Sequence, residues 1–376
     1  MPETAATEKL HRIREIEREI PRTLIRMEKK IVKFPFQRYF LGHQKPEDPK
    51  FHPDWKTWPT DTITVAWLGQ STVLINFYGT WIITDPVFSE RVGIPVGPIT
   101  VGPRRMVHAP LRPEELPPID LILISHAHMD HTDLPSLHAM IEEIHTHDDG
   151  KNAKRTPSII IAANTKEVYS SLKSNTIQEL DWGKQITFDE TFYTTGYGMG
   201  VRVSALEVRH AGWRMPWQPC RARNEAQGMS YNGYLVEKRD EQGKLHAFVF
   251  GGDTGYIDTF HKIGEQLRLE GRTIDCAIMP IGTYNPWVRT HCNPEQAWRM
   301  TQEMKAQYIV PVHWNTYTQS SEPRYEPIEW LRHVVDRPGA IALSEHGETW
   351  SKESVEQHSI PKKRVIRRDE DPAKTV

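Results

Sequence analysis

Hydrophobic and polar residues alternate in two different ways along the chain, and the change falls near residue 61. From residue 10 to residue 41, apolar positions recur every three or four residues among many Arg, Lys and Glu side chains. This spacing predicts an amphipathic helix. Pro21 should kink or divide that helix, because proline has no amide hydrogen for the helical bond.

The second half of that segment, KKIVKFPFQRYFLG, is both aromatic and basic, and two interpretations of it stay open. Such a stretch is typical of an interfacial anchor, with aromatic rings at the acyl boundary and lysines on lipid phosphates. That interpretation predicts peripheral membrane contact through residues 10–41. The pattern also fits a helix that packs on the rest of the protein and keeps its charged face in water.

From Asp61 onward, short apolar runs separated by turn residues predict a succession of strands. Helical spacing lies between some of the runs, around 134–144, 165–172 and 294–304. Because strands come in groups with helices between the groups, a layered, mixed α/β sandwich fits better than a strictly alternating parallel fold. The runs are TITVAWL, STVLINF, WIITD, IDLILIS, SIIIAAN, VRVSALEV, YLVEK, HAFVFGGD, DCAIMPIG and QYIVPVHW.

The end of the chain is charged and poor in apolar residues, with the basic run KKRVIRR. This composition is typical of a mobile tail, and nucleic-acid binding by the basic cluster is the alternative. We therefore predict three regions: an N-terminal helical extension over 1–60, a folded domain over 61–350, and a charged tail over 351–376.

Composition narrows the class of protein. The chain has 376 residues and a formal net charge of -2, so no overall bias favours nucleic acid as a partner. Three scattered cysteines are too few for a disulfide framework. No apolar run approaches the roughly 20 residues that span a bilayer, and the N-terminus lacks the apolar core of a secretory signal. We expect a cytoplasmic protein, with contact at the inner membrane surface and assembly into a homodimer left open.

The stretch LISHAHMDH, residues 123–131, places three histidines and an aspartate at the end of an apolar run. Imidazole nitrogens and carboxylates are donors that zinc accepts, and further ligands should follow other strands. His210 follows VRVSALEVR, Asp253 follows HAFVFGG, and His313 follows QYIVPV. Each alone also fits a core histidine or a turn cap, but their joint recurrence predicts a metal site.

The signature H-x-H-x-D-H, at residues 126–131, resembles that of the metallo-β-lactamase superfamily. The resemblance implies a four-layer αββα sandwich and two zinc ions, although iron or manganese also binds such donors. It assigns His126, His128 and His210 to one ion. It assigns Asp130, His131 and His313 to the second ion, with Asp253 between the two.

A more specific resemblance is to the N-acyl-phosphatidylethanolamine-hydrolysing phospholipase D branch of that superfamily. It implies hydrolysis of a phosphodiester to an N-acylethanolamine and phosphatidic acid. Two departures stand out: Gln70 occurs in WLGQST where the branch commonly has WLGHAT, and HCNPEQ replaces HxDPEE. The segments that carry the resemblance are VAWLGQSTVLI, TDPVFSERV, GPRR, ELPPIDLILISHAHMDH, ELDW, FGGDTGY, MPIGTYNP, HCNPEQA, VHWNTY and EHGE.

Two residues are candidates for catalytic work beyond metal binding. His291 resembles a family active-site histidine that would protonate a leaving alkoxide or bind phosphate. Its alternative is a loop histidine that merely precedes a helix. Asp130 would orient the attacking nucleophile as well as bind metal.

Aromatic and basic residues near the ligands are candidates for substrate binding. The loop AGWRMPWQPCRARNEAQGM, residues 211–229, contains Trp213, Arg214 and Trp217, which suit acyl chains beside a phosphate. This loop also fits a rigid, packed lid. Further candidates, which also fit a role in packing the site wall, are Tyr284, Trp287 and Tyr317.

The sequence thus predicts a dinuclear zinc hydrolase that acts on a phospholipid or another phosphodiester. Since metal-activated hydroxide attacks carbonyl carbon as well as phosphorus, a lactonase or esterase of the same fold is the second hypothesis. A third, of another class, is a non-catalytic metal-binding or membrane-associated module.

Overall fold

The computed structural model describes residues 45–97, 99–146, 156–172, 174, 176–188, 200–215, 217–222 and 227–352. The predicted helix over residues 10–41 and nearly all of the predicted tail lie outside these residues. Within the described part of the chain, no helix is both long and apolar enough to span a bilayer.

Two β-sheets form the centre of the fold. The strands are β1 Ile63–Gly69, β2 Thr72–Phe77, β3 Thr80–Thr84, β4 Ile94–Val96, β5 Ile99–Val101, β6 Leu121–Leu123, β7 Ser158–Ala162, β8 Ile177–Leu180, β9 Gln185–Phe188, β10 Val201–Glu207, β11 Asn232–Arg239, β12 Leu245–Phe250, β13 Ile274–Pro280, β14 Ala306–Val312 and β15 Thr349–Ser351. The helices are α1 Leu134–Thr146, α2 Thr259–Leu269, α3 Pro294–Glu303 and α4 Glu326–Val334.

The first sheet has the strand order β15-β1-β2-β3-β6-β7-β8, and the second has the order β14-β13-β12-β11-β10-β9. Strands β4 and β5 pair separately. In the first sheet β3, β6, β7 and β8 are parallel, whereas β1, β2 and β3 are antiparallel. The sheets are therefore mixed, as the grouping of apolar runs predicts.

The strand β1 shows why the sheets need cover on both faces. All of its residues are buried, and successive side chains point to opposite faces. Val65 and Trp67 belong to the core between the two sheets, whereas Ala66 and Leu68 belong to a second core that also contains Leu137 of α1.

The outer face of the second sheet is covered by three helices. Phe260 of α2, Met300 of α3 and Leu331 of α4 are buried in a hydrophobic cluster that continues through this sheet into the core between the sheets. With α1 outside the first sheet, the layers are helix, sheet, sheet and helices. The predicted four-layer αββα sandwich is confirmed.

The apolar runs correspond to ten of the strands, and the helical patterns around 134–144 and 294–304 correspond to α1 and α3. The predicted helix over 165–172 is wrong, since only a 3₁₀ turn, Lys166–Tyr169, forms there. Tyr169 is buried in the core under α1, and its hydroxyl lies 2.9 Å from Thr132 Oγ1. That tertiary contact fixes the segment as a short turn.

Residues just before β1 pack on the sandwich. The rings of Trp55 and Trp58 lie 5.7 and 5.6 Å from that of Trp81, and Trp55 Nε1 donates to the Glu115 carbonyl at 2.8 Å. At the other end of the domain, β15 pairs with β1. The boundary at residue 60 stays a prediction, although part of the segment before it contacts the domain.

Candidate metal centre

Strand direction brings the candidate ligands to one edge of the molecule. Strand β11 is antiparallel to both β10 and β12, and β12, β13 and β14 are parallel. The carboxyl ends of β10, β12 and β14 therefore lie at the same edge, followed by His210, Asp253 and His313. The loop between β6 and α1 joins them there, because His126 forms a backbone bridge with Tyr231 of the other half of the sandwich.

Three histidines form a first ligand group. His126 Nε2 lies 2.8 Å from His128 Nδ1 and 3.1 Å from His210 Nε2, and the last two atoms are 3.2 Å apart. Ligand atoms around a tetrahedral zinc ion, with bonds of about 2.0–2.1 Å, are roughly 3.3 Å apart. The spacing of these nitrogens is close to that of a zinc site.

Two carboxylates and two histidines form a second ligand group. His313 Nε2 lies 3.1 Å from His131 Nε2, 3.2 Å from Asp130 Oδ2 and 3.1 Å from Asp253 Oδ2. His131 Nε2 in turn lies 3.2 Å from Asp130 Oδ2 and 3.1 Å from Asp253 Oδ2. The four atoms are thus mutual neighbours.

Asp253 lies between the two groups. The oxygen that belongs to the second group, Oδ2, is also 3.8 Å from His210 Nε2 of the first group. The seven residues expected to bind metal are therefore together, with the predicted division between them and with Asp253 in the predicted bridging place.

The protonation of the first group suits metal binding. Burial lowers the pKa of His126 and of His210 well below the usual imidazole range, and it lowers the pKa of His128 to about 4. These rings are therefore neutral near pH 7, and neutral imidazole offers the lone pair that a metal requires.

The second group places two carboxylates beside two histidines, and each kind of side chain shifts the pKa of the other. Burial raises the pKa of Asp130 and of Asp253, but attraction by His131 outweighs it and holds both pKa values well below the usual range. Burial lowers the pKa of His313, but Asp253 and Asp130 outweigh it and raise that pKa to about 9. Two buried carboxylates that attract protons to neighbouring rings would attract a divalent cation in the same way.

One unpaired polar atom also fits a metal. Among the described residues, buried Asp253 Oδ1 has no hydrogen-bond partner, and the other oxygen of the same carboxylate lies in the second ligand group. Leaving such an oxygen unpaired costs free energy, and a cation bound by this carboxylate would offset that cost. The donor set, nitrogen and carboxylate oxygen with tetrahedral spacing, fits zinc and also accommodates iron or manganese.

Side chains behind the ligands orient them. Asp85, at the end of β3, is fully buried and accepts hydrogen bonds at Oδ2 from Ser125 Oγ at 2.6 Å and from His131 Nδ1 at 2.7 Å. Ser125 Oγ in turn lies 2.9 Å from His126 Nδ1. On the other side, His210 Nδ1 lies 3.0 Å from the Thr290 carbonyl oxygen. One carboxylate thus directs a ring from each ligand group.

Asp130 is held by two glutamines. Gln70 Nε2 and Gln319 Nε2 donate to Asp130 Oδ2 at 2.8 and 2.7 Å. The sequence singles out Gln70 only as a departure from the family pattern. Gln319 and Asp85 are not among the residues that the sequence predicts, although Asp85 follows the run WIIT by the same strand-end rule that indicates the ligands.

His291 lies at the centre, where the sequence places it. Its Nε2 atom is 3.1 Å from Asp253 Oδ2, and its ring centroid is 4.9 Å from that of His210. The side chain is 12% exposed. It is therefore within reach of both the ligands and a molecule at the rim.

The loop after His210 places its candidates differently. The ring of Trp213 lies 4.7 Å from that of His128, next to the first ligand group. Arg214 instead donates from Nη1 to the carbonyls of Ala127 and Thr132, both at 3.0 Å, and so fastens the ligand loop. Trp217 is 78% exposed.

The three remaining substrate candidates differ in how far they are exposed to a ligand. The Tyr284 hydroxyl donates to Glu326 Oε1 at 2.6 Å, and the Tyr317 hydroxyl donates to the Ser89 carbonyl at 2.6 Å. Both rings are buried, whereas Trp287 is 39% exposed. Packing of the site wall accounts for the two tyrosines, and Trp287 is the one of the three that is open to a ligand.

Comparison with known proteins agrees with this geometry. The family described as Beta-lactamase superfamily domain matches residues 80–314 of the chain. An uncharacterized protein of Mycobacterium tuberculosis is 30% identical over 274 residues, which are 72% of this chain and 63% of that protein. The alignment thus spans a little under two thirds of that relative's length.

Two relatives have more informative names. N-acyl-phosphatidylethanolamine-hydrolyzing phospholipase D 1 of Caenorhabditis elegans is 28% identical over 295 residues, 76% of this chain and 74% of that protein. The mitochondrial enzyme of the same description from Saccharomyces cerevisiae is 29% identical over 278 residues, 73% of this chain and 52% of that protein.

Among solved structures, an isothiocyanate hydrolase from Delia radicum gut bacteria has a TM-score of 0.52 and 17% identity, and the match covers 76% of this chain and 98% of that one. That likeness concerns the fold alone. The family match shows that the chain belongs to the metallo-β-lactamase superfamily, and the nematode and yeast relatives place it in the branch similar to N-acyl-phosphatidylethanolamine-hydrolysing phospholipase D.

Proposed function

We propose that this chain is a metal-dependent hydrolase that binds two zinc ions and cleaves the phosphodiester of an N-acylated phosphatidylethanolamine. Two adjacent ligand groups that share Asp253 Oδ2 are the observation that carries the proposal. Sites in which two metals lie side by side are suited to displacement at phosphorus.

In this proposal the seven candidate ligands bind the two ions in two groups. His126, His128 and His210 would bind one ion, and Asp130, His131 and His313 would bind the other, with Asp253 shared. When bound, the metals would supply a hydroxide at neutral pH and stabilise charge on the phosphoryl oxygens. Since four of the five histidine side chains, those of His126, His131, His210 and His313, are buried, bulk water would be kept from all but the open side of the site.

His291 is the residue placed to handle the leaving group. In the proposed hydrolysis, water oxygen bonds to phosphorus, the bond from phosphorus to the ethanolamine oxygen breaks, and that oxygen takes a proton. The products are an N-acylethanolamine and phosphatidic acid. His291 Nε2 faces Asp253 from the rim, so this ring would donate the proton.

The names of the nematode and yeast relatives support the choice of substrate. A phospholipid substrate also requires contact with a membrane surface. Residues 10–41 remain the segment predicted to provide it.

Turnover of purified, zinc-loaded protein tests the proposal. We expect phosphatidic acid and an N-acylethanolamine to appear in equal amounts from vesicles that contain N-acyl-phosphatidylethanolamine, as measured by mass spectrometry. The Asp48→Asn variant, which changes an exposed residue, is the control and should match the wild type.

Other outcomes would point to the alternatives. Rapid opening of a lactone with negligible release of phosphatidic acid would overturn the phospholipase assignment and favour the lactonase or esterase. Less than about one zinc per chain, with no turnover of either substrate after zinc is added, would favour the non-catalytic module.

A further inference from the structure

Two neutral side chains that are not metal ligands donate hydrogen bonds to Asp130 Oδ2. Gln70 Nε2 donates to it at 2.8 Å and Gln319 Nε2 at 2.7 Å. The two amides also contact each other, since Gln70 Nε2 donates to Gln319 Oε1 at 2.8 Å. The three side chains form a closed hydrogen-bonded set.

The chemistry of the three groups fixes which way each amide points. A carboxylate only accepts hydrogen bonds, so both glutamines must turn their nitrogens toward Asp130. Gln70 then has one remaining N–H, which Gln319 Oε1 accepts. If either amide were turned around, two oxygens would face each other without a proton between them.

The two glutamines come from different halves of the sandwich. Gln70 directly follows β1 of the first sheet and is buried, at φ 49°. Its backbone N–H donates to Thr316 Oγ1 at 2.7 Å, and its carbonyl accepts from the backbone N–H of His313 at 2.9 Å. Gln319 lies six residues after His313, in the loop that follows β14 of the second sheet.

The oxygen that the glutamines contact is the one in the ligand group. Asp130 Oδ2 lies 3.2 Å from both His131 Nε2 and His313 Nε2. The side-chain amides of both glutamines form their hydrogen bonds to Asp130 and to each other, and none of these bonds goes to the three histidines of the first group. The pair can therefore influence one metal position without the other.

We infer that Gln70 and Gln319 form an amide clamp that positions Asp130 Oδ2 for the metal of the second group. The inference rests on the two-metal site of the proposed function. The clamp holds the carboxylate in its ligating rotamer, and its donors are neutral and do not titrate. Without it, Asp130 would lose two partners and gain rotational freedom, so the second metal would bind more weakly while the first would not.

Metal titration of the full-length, metal-free protein tests the clamp. Gln319→Met and Gln70→Met remove the donors and keep the length of the side chain. Gln319→Met comes first, because Gln319 is only partly buried and the variant should fold. Gln302→Met is the matched control, since Gln302 is an exposed residue of α3 whose amide contacts Asp336 instead. Zn²⁺ alone is the probe, with a chelating dye as competitor, so that two dissociation constants are measured.

We expect each clamp variant to weaken the second zinc by about 10- to 100-fold, the range typical of residues that orient a ligand, and to leave the first zinc unchanged. Gln319→Glu should weaken the second zinc at least as much, because it puts a carboxylate against Asp130. The control variant should reproduce both constants of the wild type.

Three results would overturn the inference: unchanged constants in both clamp variants, an equal loss at both sites, or binding of only one zinc by the wild type. An equal loss would mean that the glutamines merely support the fold. Because no substrate is used, the inference and the proposed reaction fail separately. A wild type that binds two zinc ions but releases no phosphatidic acid would contradict only the reaction.

Discussion

Asp253 is held in a constrained position among the candidate ligands. It is 2% exposed and its Oδ2 atom serves both groups. The turn that aims it depends on Gly252, at φ 56°, where a Cβ would lie 2.7 Å from Ser125 Cβ and 2.8 Å from the Asn232 carbonyl oxygen. Only glycine combines that conformation with so close an approach.

Replacing Asp253 with alanine should affect both metals. We expect zinc content to fall from two per chain to less than one, since both groups lose the oxygen that they share and the buried negative charge that it carries. His313→Ala is the comparison, because His313 belongs to one group only and its loss should leave about one zinc. Elemental analysis of dialysed protein checks both variants. Two zinc ions retained by Asp253→Ala would refute the bridging role.

His291 should matter for turnover and not for metal content. We expect His291→Ala to lower kcat by about 10²- to 10⁴-fold, the usual contribution of a general acid, with both zinc ions retained. The loss of kcat should be smaller for substrates with a more acidic leaving alcohol, because such an alkoxide leaves more readily without a proton donor. Loss of zinc from this variant, or equal losses for all leaving groups, would contradict the assignment.

Asp85 should act through the histidines that it orients. Asp85 Oδ2 accepts from Ser125 Oγ and His131 Nδ1, and Oδ1 accepts from the Ser125 backbone N–H at 2.7 Å. In Asp85→Asn one of these two oxygens becomes an NH₂ group, which accepts no hydrogen bond, so either the first two donors or the third loses its acceptor. We expect zinc affinity to fall by about 10- to 100-fold. Competition with a chelating dye measures the loss, with Asp48→Asn as the exposed control. Wild-type affinity in Asp85→Asn would show that the carboxylate is not needed to orient the rings.

At the scale of the strands and helices, the sequence predicts the site better than the connections around it. His210, Asp253 and His313 can be predicted because strand ends meet at one edge. Gln319 cannot, because its contact with Asp130 depends on the path of an irregular loop after β14. For the same reason the sequence leaves two roles open for Tyr317, since only the folded loop turns its hydroxyl to the Ser89 carbonyl.

Short edge strands cannot be predicted from the sequence for a related reason. The strand β9 alternates exposed and buried residues over only four positions, and β15 has three residues. Such strands contain too few apolar residues to stand out. Their pairing with a neighbour, β10 or β1, is what makes them strands.

Packing between helices α2 and α3 gives a test at this scale. Gly264 is buried in α2, and a Cβ there would lie 1.9 Å from the Glu303 carbonyl oxygen and 2.9 Å from Met304 Cα. Alanine in place of a helical glycine ordinarily stabilises by roughly 0.5–1 kcal/mol. Here we expect Gly264→Ala to lower the free energy of unfolding by about 1–3 kcal/mol, because backbone must move.

Urea denaturation measures that change. The control is His261→Ala on the exposed face of the same helix, for which we expect a change within about 0.5 kcal/mol. A Gly264→Ala variant at least as stable as the wild type would show that α2 and α3 can separate at no cost.

At the scale of the whole molecule, the candidate metal centre lies where the two sheets join. The loop after β6 belongs to the first sheet, whereas the strands before His210, Asp253 and His313 belong to the second. The sheets also meet through the Tyr234 hydroxyl, which donates to the Ile124 carbonyl at 2.8 Å. Metal ligands from both sheets would add a further connection at this edge.

Metal binding should therefore stabilise the whole domain. A ligand that binds only the folded state at 100 times its dissociation constant adds about 2.7 kcal/mol. We expect the thermal midpoint of the wild type to fall by several degrees when zinc is removed with a chelator and to recover when zinc is restored. Differential scanning calorimetry at fixed protein concentration measures both midpoints. The thermal midpoint of the Asp253→Ala variant should change much less on removal of zinc, because this variant can no longer hold both ions. An equal change of the midpoint in both proteins would mean that zinc stabilises the chain at some other place.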